Sequence, residues 1–292
     1  MTKKLTIIYN PFVSVIKQKE QVQLFKKAQA QLKIKLDFVR SDEVNSLINQ
    51  NKHSFSHKIL FLDKNIPLAQ LLENKGYKLY NSAKSIAICD NKALTHVTLA
   101  KTKIRQPKTL IGPLTFNLKK IEISDPFIKQ INKTFKYPVV LKEVYGSFGH
   151  QVYLINNQNE LVNKINTLAG KEFIVQEYLS QKSGHGIRIL VINKKIYGAI
   201  KQINKNDFRS NLTLGSSGKI VKLPQYAQTM AQKIIKQLNL FYGGIDLIYD
   251  NNNRLIFCEA NSNAQLTNIS KIFNTNFAQL LVTQINEDKN GK

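Results

Sequence analysis

Residues 243–264 read GGIDLIYDNNNRLIFCEANSNA, two apolar, strand-like segments on either side of a polar turn rich in asparagine. Asparagine adopts the left-handed backbone conformations of tight hairpin turns more readily than most residues. We therefore predict a β-hairpin with Asn252 and Asn253 as its two central turn residues. This pairing places Asp246 directly opposite Glu259 on the neighbouring strand.

Asp246, Glu259 and Asn261 share one face of the predicted hairpin, because side chains alternate between the two faces of a strand. Two like charges that face each other are unfavourable, so the pair needs a compensating group. A hard divalent cation would remove the repulsion, and Mg²⁺ prefers such oxygen ligands, with phosphate oxygens completing its octahedron. The alternative is a register shifted by one residue, which would leave one carboxylate in solvent on the outer face.

The length and cysteine content indicate a globular protein of a reducing compartment. A chain of 292 residues with 42% hydrophobic residues can form one large domain or two to three smaller ones. Cys89 and Cys258 are far apart in apolar surroundings, which fits neither a disulfide framework nor a zinc site. The N-terminal LTIIY is too short for a signal core, and no apolar run is long enough for a membrane helix. We expect a cytoplasmic protein without a membrane partner.

The formal net charge of +24 is high, and it is spread along the whole chain rather than concentrated in a tail. Such a charge fits an anionic partner, for example a nucleotide, an acidic peptide or RNA. The alternative is a general abundance of Lys, Asn and Ile, and this is the better explanation for most of the lysines. Because no basic and aromatic RNA-binding motif is present, a nucleic acid partner is disfavoured without being excluded.

The first 90 residues are predicted to alternate strands and helices, from the strand LTIIYN at residue 5 to the strand YKLYN at residue 77. This alternation is typical of a doubly wound βα unit. No G-x-G-x-x-G follows the first strand, so nothing indicates a dinucleotide site. Beyond it we predict a helix over residues 90–105 capped by Asp90, a hairpin turning at Asn193-Lys194, and a helix in QYAQTMAQKIIKQLNL.

Three segments in the middle of the chain suit a ligand with phosphates and a purine. Lys142 lies within the strand-like PVVLKEV, and the small-residue loop Gly146-Ser147-Phe148-Gly149 follows four residues later. A lysine and exposed backbone amides can contact the same phosphates. The segment Gln176–Leu179 ends a buried-looking strand, where backbone groups could bind a purine edge. Each signal is weak alone, because most such loops are ordinary turns and most strand ends are only strand ends.

The order of these motifs is more specific. The strand lysine, the small-residue loop, QEYL, G-x-R, FRSN, GIDLI and EANSN follow one another over about 120 residues. This order resembles that of the ATP-grasp ligases, and among them the RimK-type glutamate ligases and the related lysine-biosynthesis ligases, over roughly residues 85–290. The resemblance implies an α/β (α+β) ATP-grasp fold, with an N-terminal βα pre-ATP-grasp domain over 1–88 and an ATP-grasp domain, with its central and C-terminal subdomains clasping ATP, over 89–292.

The resemblance also implies roles for individual residues. Arg188 and Arg209 would face the phosphates and the acyl substrate as catalytic residues, and Asp246, Glu259 and Asn261 would bind Mg²⁺, with Mn²⁺ as an alternative ion. The residues implied in ATP binding are Lys92, Lys142, Gly146, Ser147, Gly149, Gln176, Glu177, Tyr178, Leu179 and Asn211.

Two positions depart from the family pattern. The family usually has an acidic residue just before I-R, where this chain has Gly186, so a ribose contact is lost or comes from another residue, with Glu177 as one candidate. The family often reads N-x-S-P-G after the metal ligands, where this chain has NSNAQ over 261–265. That loop borders the acceptor region, so the substrates are not fixed by the resemblance.

The implied function is an ATP- and Mg²⁺-dependent carboxylate–amine ligase, which forms an amide or peptide bond through an acyl phosphate. It would join glutamate or a related amino acid to a small molecule, a peptide or a protein, and an acidic peptide or protein would suit the basic surface. The alternative is a basic nucleotide-binding or RNA-associated protein that keeps the fold without ligating. Isolated histidines such as His150 and His185 are more often structural or solvated. The sequence leaves open whether the protein forms a homo-oligomer.

Overall fold

The computed structural model describes residues 4–13, 15–50, 55–116, 119–146, 149–210 and 217–288, and within them the protein mixes helices with parallel and antiparallel sheets, as predicted. The strands are β1 (Lys4–Tyr9), β2 (Lys35–Arg40), β3 (Lys58–Leu62), β4 (Lys78–Tyr80), β5 (Thr109–Ile111), β6 (Val139–Glu143), β7 (Val152–Ile155), β8 (Phe173–Glu177), β9 (His185–Ile192), β10 (Lys195–Ile203), β11 (Ser217–Val221), β12 (Tyr242–Tyr249) and β13 (Leu255–Asn261). The helices are α1 (Val15–Leu32), α2 (Val44–Asn49), α3 (Ile66–Asn74), α4 (Ala83–Asp90), α5 (Lys92–Ala100), α6 (Pro126–Thr134), α7 (Gln158–Asn166), α8 (Gln225–Leu238), α9 (Leu266–Phe273) and α10 (Phe277–Glu287).

The N-terminal sheet is parallel, with the strand order β2-β1-β3-β4. Its central strands are continuous apolar runs because helices cover both faces of the sheet. In β1, for example, Leu5, Ile7 and Ile8 are all buried, although neighbouring side chains point to opposite faces. The strand and helix series predicted for the first 80 residues is therefore confirmed.

The other two sheets are antiparallel. One has the order β5-β8-β6-β7 and packs its apolar face on α6 and α7, and the other has the order β11-β10-β9-β12-β13. The predicted hairpin at Asn193-Lys194 joins β9 to β10, and both residues have positive φ angles, of 51° and 59°. A two-residue hairpin loop of this kind matches the right-handed twist of its strands.

The prediction of a single helix over 90–105 was wrong at both ends. Asp90 is the last residue of α4, and the next helix begins at Lys92, because the side chain of Asn91 accepts a hydrogen bond of 2.8 Å from the backbone N–H of Leu94. Asn91 itself is extended, at φ −97° and ψ 105°, which separates the two helices. Helix α4 spans position 88, where we placed the domain boundary, and that division stays a prediction.

One apolar core joins the beginning of the chain to its end. It contains Leu5 and Tyr80 from the parallel sheet, Leu190 and Tyr242 from the five-stranded sheet, and Leu281 from α10. The parallel sheet is thus packed directly against the sheet that carries the acidic hairpin. Within the described residues, no helix combines the length and the hydropathy that crossing a membrane requires.

Candidate active site

The acidic hairpin forms with the predicted pairing at the site, although its turn differs from the prediction. Asp246 lies opposite Glu259. Asp250 donates its N–H to the carbonyl of Arg254, so three residues form the turn rather than two, and Asn253 has a φ of +59°. A bulge at Cys258 restores the register, because β13 has one residue more than β12 between this turn and Glu259.

The two carboxylates are held by an arginine and an amide. The guanidinium of Arg188 donates from Nε to Oδ1 of Asp246 at 2.7 Å and from Nη2 to Oδ2 at 2.5 Å. Nδ2 of Asn261 lies 3.4 Å from a carboxylate oxygen of each acid. Burial raises the pKa of Asp246, and its ion pair with Arg188 opposes this rise. The three residues expected to bind a metal are therefore side by side, and a cation lies against one of them.

Two lysines add positive charge to the same place. Lys142 on β6 is 8% exposed, and its Nζ lies 3.7 Å from Sγ of Cys258. Nζ of Lys92 donates to the carbonyls of Gly146 at 3.2 Å and Val144 at 3.4 Å, and burial lowers the pKa of Lys92. Burial would also raise the pKa of Glu259, but the charges of Lys92, Lys142 and Arg188 outweigh it and hold this pKa below its usual range. Three cations against two carboxylates favour an anionic ligand.

The glycine loop and the FRSN segment meet at Arg209. Its guanidinium is paired with Asp207, through Nη2 to Oδ2 at 2.6 Å, and its Nη1 donates to the carbonyl of Gly149. Gly149 has a φ of +77° and Gly146 a φ of +152°, where a Cβ would collide with the side chain of Gln151. Arg209 therefore links two loops, and an ion pair with Asp207 balances its charge.

The segment Gln176–Leu179 forms the opposite end of the site. The buried amide of Gln176 lies 2.6 Å from Nε2 of His96 and donates to Oγ1 of Thr109 at 2.9 Å. Oε1 of Glu177 accepts the N–H of Lys108 at 2.7 Å. These side-chain contacts hold the end of β8 in place, and the N–H of Glu177 adds a hydrogen bond of 3.1 Å to the carbonyl of Lys108.

Most of the expected site residues line one cleft of about 360 Å³. The site residues from the sequence that line it are Lys92, Lys142, Gly146, Gly149, Gln176, Glu177, Tyr178, Leu179, Arg188, Arg209, Asp246, Glu259 and Asn261. Ser147 and Asn211 lie outside the described residues. The structure thus brings these residues together in one cleft, and their individual roles stay predictions.

The sequence did not indicate the part of the cleft formed by the parallel sheet. Asn10 and Asp63 line it from the carboxyl ends of β1 and β3, with a hydrogen bond of 3.1 Å between them. The next residue, Lys64, pairs with Asp90. Ligands commonly bind beyond the carboxyl ends of parallel strands, so polar residues directly after LTIIY and KILFL were a usable signal. Gln202 and Ser210 also line the cleft and were not predicted.

The donor set fits a hard divalent cation in kind. Asp246, Glu259 and Asn261 offer only oxygen ligands, which suit Mg²⁺ or Mn²⁺. Within the described residues no group of three or more His, Cys, Asp or Glu side chains could hold a metal. Two carboxylates and an amide would supply about half of the six oxygens that Mg²⁺ takes, and a polyphosphate would supply others.

Comparison with known proteins finds relatives of this chain by sequence and structures with the same fold. A family model described as a RimK-like ATP-grasp domain matches residues 89–285. An uncharacterized protein of Mycoplasma pneumoniae is 40% identical over 97% of this chain and 99% of its own length. The alpha-aminoadipate–LysW ligase LysX of Sulfurisphaera tokodaii is 29% identical over 74% of each chain. The D-alanine–D-alanine ligase of Bacillus anthracis, solved with ATP, has the same fold, with a TM-score of 0.75, 14% identity and coverage of 98% of this chain and 96% of its own.

Proposed function

This chain belongs to the RimK-like ATP-grasp family, and from that membership and the geometry of the cleft we propose that it is a Mg²⁺-dependent amino-acid ligase whose phosphate end lies at the acidic hairpin. ATP binding and the ATP-dependent joining of a carboxylate to an amine follow from the family. The ion, the role of each residue and the class of substrate are the parts that we propose. A nucleotide-binding protein without ligase activity is not favoured.

The reaction has two steps. An oxygen of the substrate carboxylate attacks the γ-phosphorus of ATP, which forms an acyl phosphate and releases ADP. The amine then attacks the acyl carbon and loses a proton, which forms the amide and releases inorganic phosphate. Both steps depend on positioning and on the stabilisation of negative charge. No nucleophilic side chain is required.

The cations of the cleft bind the phosphates. Lys142 and Lys92 approach the polyphosphate from β6 and α5, and Arg188 balances the charge that develops on the transferring group. Arg209 keeps the glycine loop close to the phosphates through its contact with Gly149. Asp246, Glu259 and Asn261 would hold Mg²⁺, which would neutralise charge on the phosphates. The backbone of Gln176–Leu179 binds the base.

One observation carries the proposal. Two facing carboxylates, Asp246 and Glu259, lie in the same cleft as three buried or half-buried cations, Lys92, Lys142 and Arg188. A structural ion pair needs one cation for one carboxylate. An excess of cations around a pair of oxygen ligands is what a metal–polyphosphate complex needs.

The substrates belong to the amino acid and peptide class. LysX, an alpha-aminoadipate–LysW ligase, is a relative over three quarters of this chain. We propose glutamate or a similar acid as the acyl or amine substrate, joined to a small molecule, a peptide or a protein. The net charge of +24 favours an acidic peptide or protein. We also propose a cytoplasmic location, where ATP and these substrates are available.

The test is release of ADP and phosphate from Mg·ATP in the presence of a panel of carboxylates, each with and without amines. The panel contains glutamate, acidic peptides and 2-aminoadipate-like acids, and mass spectrometry reads the products. We expect ADP release that depends on one acid and one amine, together with a product mass equal to their condensed amide. An absence of ATP binding would contradict the proposal.

Asp246→Asn tests the metal role, with Asp250→Asn as the matched control. Asp250 lies in the turn of the same hairpin, where its Oδ1 accepts the N–H groups of Asn252 and Arg254, and asparagine keeps that acceptor. We expect Asp246→Asn to lower turnover by about a hundredfold or more, in line with the loss of a group that stabilises transition-state charge, and to require more Mg²⁺. Normal turnover in Asp246→Asn would remove this residue from the metal site.

A further inference from the structure

Gln202 is a buried side chain in the cleft wall whose amide the proposed chemistry does not use. The residue is 2% exposed, it lies on β10, and it lines the cleft. Within the described part of the chain, its Nε2 has no hydrogen-bond partner. A buried amide without a partner is destabilising, so such a group in a binding cleft indicates a ligand that satisfies it.

The position of Gln202 along the sheet indicates which part of a ligand it would meet. On the central strand β9, Arg188 pairs with Asp246 at the phosphate end of the cleft. Two residues earlier, about 6.7 Å away along the strand, Gly186 pairs with Ile248 on one side and with Gln202 on the other.

The cleft continues beyond this row to Tyr178, whose hydroxyl donates to Ser183. In the same region, Nζ of Lys182 lies 4.5 Å from the centroid of the Tyr249 ring. This is the end at which the proposed function places the base, at the backbone of Gln176–Leu179. The row of Gln202 therefore lies between the base end and the phosphate end, where the sugar of a nucleotide would be.

Gly186, in the same row, has no side chain that could contact a ligand, and there is no space for one. A Cβ at position 186 would collide with Oγ of Ser210 and would approach the carbonyl of Leu247 to 3.2 Å. The hydroxyl of Ser210 thus occupies the space that a side chain at 186 would need. Glu177, our sequence candidate for this contact, lies at the end of β8 rather than in this row, and its Oε1 accepts the N–H of Lys108. The polar groups of this row are then Gln202 and Ser210.

We propose that the amide of Gln202, with the hydroxyl of Ser210 beside it, binds the sugar hydroxyls of the nucleotide and so selects ribonucleotides over deoxyribonucleotides. A half-turn of the amide exchanges its donor and its acceptor. Either atom can therefore face the cleft, and a sugar hydroxyl can pair with both. The inference rests on the proposed function, because it needs the nucleotide to lie between the two ends described above.

The test compares the binding of ADP, 2′-deoxy-ADP and 3′-deoxy-ADP, each with Mg²⁺, by isothermal titration calorimetry. The native protein should bind ADP about three- to tenfold more tightly than the analogue that lacks the contacted hydroxyl, as expected for one neutral hydrogen bond. Gln202→Leu keeps the size of the side chain and removes the amide. It should bind ADP as weakly as that analogue, so that the preference disappears.

Thr267→Val is the matched control. The hydroxyl of Thr267 is buried and has no partner among the described residues, like the amide of Gln202, but it does not line the cleft. This variant should keep the preference for ADP. The analogue series in the native protein needs no substitution, so an absence of sugar preference there overturns the inference even if Gln202→Leu does not fold.

Three results would overturn the inference. These are equal binding of ADP and both analogues by the native protein, an unchanged preference in Gln202→Leu, and an equal loss of affinity for all three nucleotides in that variant, which would indicate a structural role. A native protein that binds no ADP would overturn the proposed function as well. Tight binding of ADP without sugar preference would overturn only the role of Gln202.

Discussion

His96 holds the base end of the cleft from behind and does so as a neutral ring. Its Nε2 lies 2.6 Å from Nε2 of Gln176, so the ring nitrogen accepts a hydrogen bond from the amide and the proton lies on Nδ1. Burial, together with the charge of Lys142, lowers the pKa of His96 to about 4. Protonation would turn the acceptor into a donor that faces another donor.

We predict that this histidine makes the protein less stable as the pH falls. Its pKa is about 4 when folded and near 6.5 when unfolded, so the unfolded chain binds more protons between these values. The stabilisation is complete above pH 6.5 and is lost as the pH falls toward 4. The loss between pH 7 and pH 5 is about 2 kcal/mol. Urea unfolding at the two pH values measures it.

Asparagine at position 96 keeps an acceptor and does not titrate, so His96→Asn should lose this part of the pH dependence. His57→Asn, at an exposed position, is the control and should keep the dependence of the native protein. An equal dependence in the native protein and in His96→Asn would show that His96 does not titrate as predicted.

The sequence could indicate which residue types form the site but not the role of every side chain. The order of the motifs predicted that Lys142, Arg188 and Asp246 belong to one site, and all three line the same cleft. It did not indicate that the side-chain amide of Gln176 contacts His96 and Thr109, because the packing of α5 and β5, 80 and 67 residues away, sets these partners.

Asn81 connects the parallel sheet to both strands of the acidic hairpin. Its Nδ2 donates to the carbonyls of Tyr242 and Ser262, each at 2.7 Å, and its Oδ1 accepts the N–H of Phe241 at 2.7 Å. The side chain is 1% exposed. These bonds hold the start of β12 and the end of β13 together, on either side of the carboxylates.

We predict that Asn81→Ala lowers the free energy of unfolding by about 3 kcal/mol or more, because it leaves buried backbone groups without partners. Chemical denaturation measures the loss. Asn74→Ala, at the exposed end of α3, should change the stability by less than about 0.5 kcal/mol. A small effect of Asn81→Ala would mean that water replaces these bonds and that the hairpin does not depend on them.

At the scale of elements, alternation and turn residues predicted the strands better than the exact turns. The pairing of Asp246 with Glu259 was predicted from a two-residue turn, whereas the chain uses a longer turn and a bulge at Cys258 that compensates for it. Local sequence does not separate these solutions, since both place the same two residues opposite each other. What decides is burial, because Phe257 must face the core with Leu247 while Glu259 faces the cleft.

At the scale of the molecule, the fold class followed from the sequence, but the assembly of the cleft did not. Alternating strands and helices predicted the parallel sheet, and the motif order predicted the family. The cleft is lined by residues of all three sheets, among them Asp63 after β3, Lys142 on β6 and Arg188 on β9. Contacts between sheets depend on cores that join distant segments, such as Leu5 with Leu281, and no local pattern encodes these.

The charge of +24 is also a property of the whole molecule, and it gives a prediction about RNA. Because the lysines are spread over the chain, we expect weak RNA binding through phosphate contacts without a dedicated site. The affinity for a 20-nucleotide single strand should fall by about a hundredfold or more between 50 and 200 mM salt, as phosphate contacts of this kind require. Fluorescence anisotropy across the salt series measures the slope.

Polyglutamate of equal charge is the control anion and should compete with the RNA at low salt, because both bind the same diffuse charge. Release of ADP with the identified substrates should be the same with and without RNA at 200 mM salt. Tight binding that persists at 200 mM salt, or RNA that accelerates ADP release, would show instead that part of the basic surface is a nucleic-acid site coupled to the cleft.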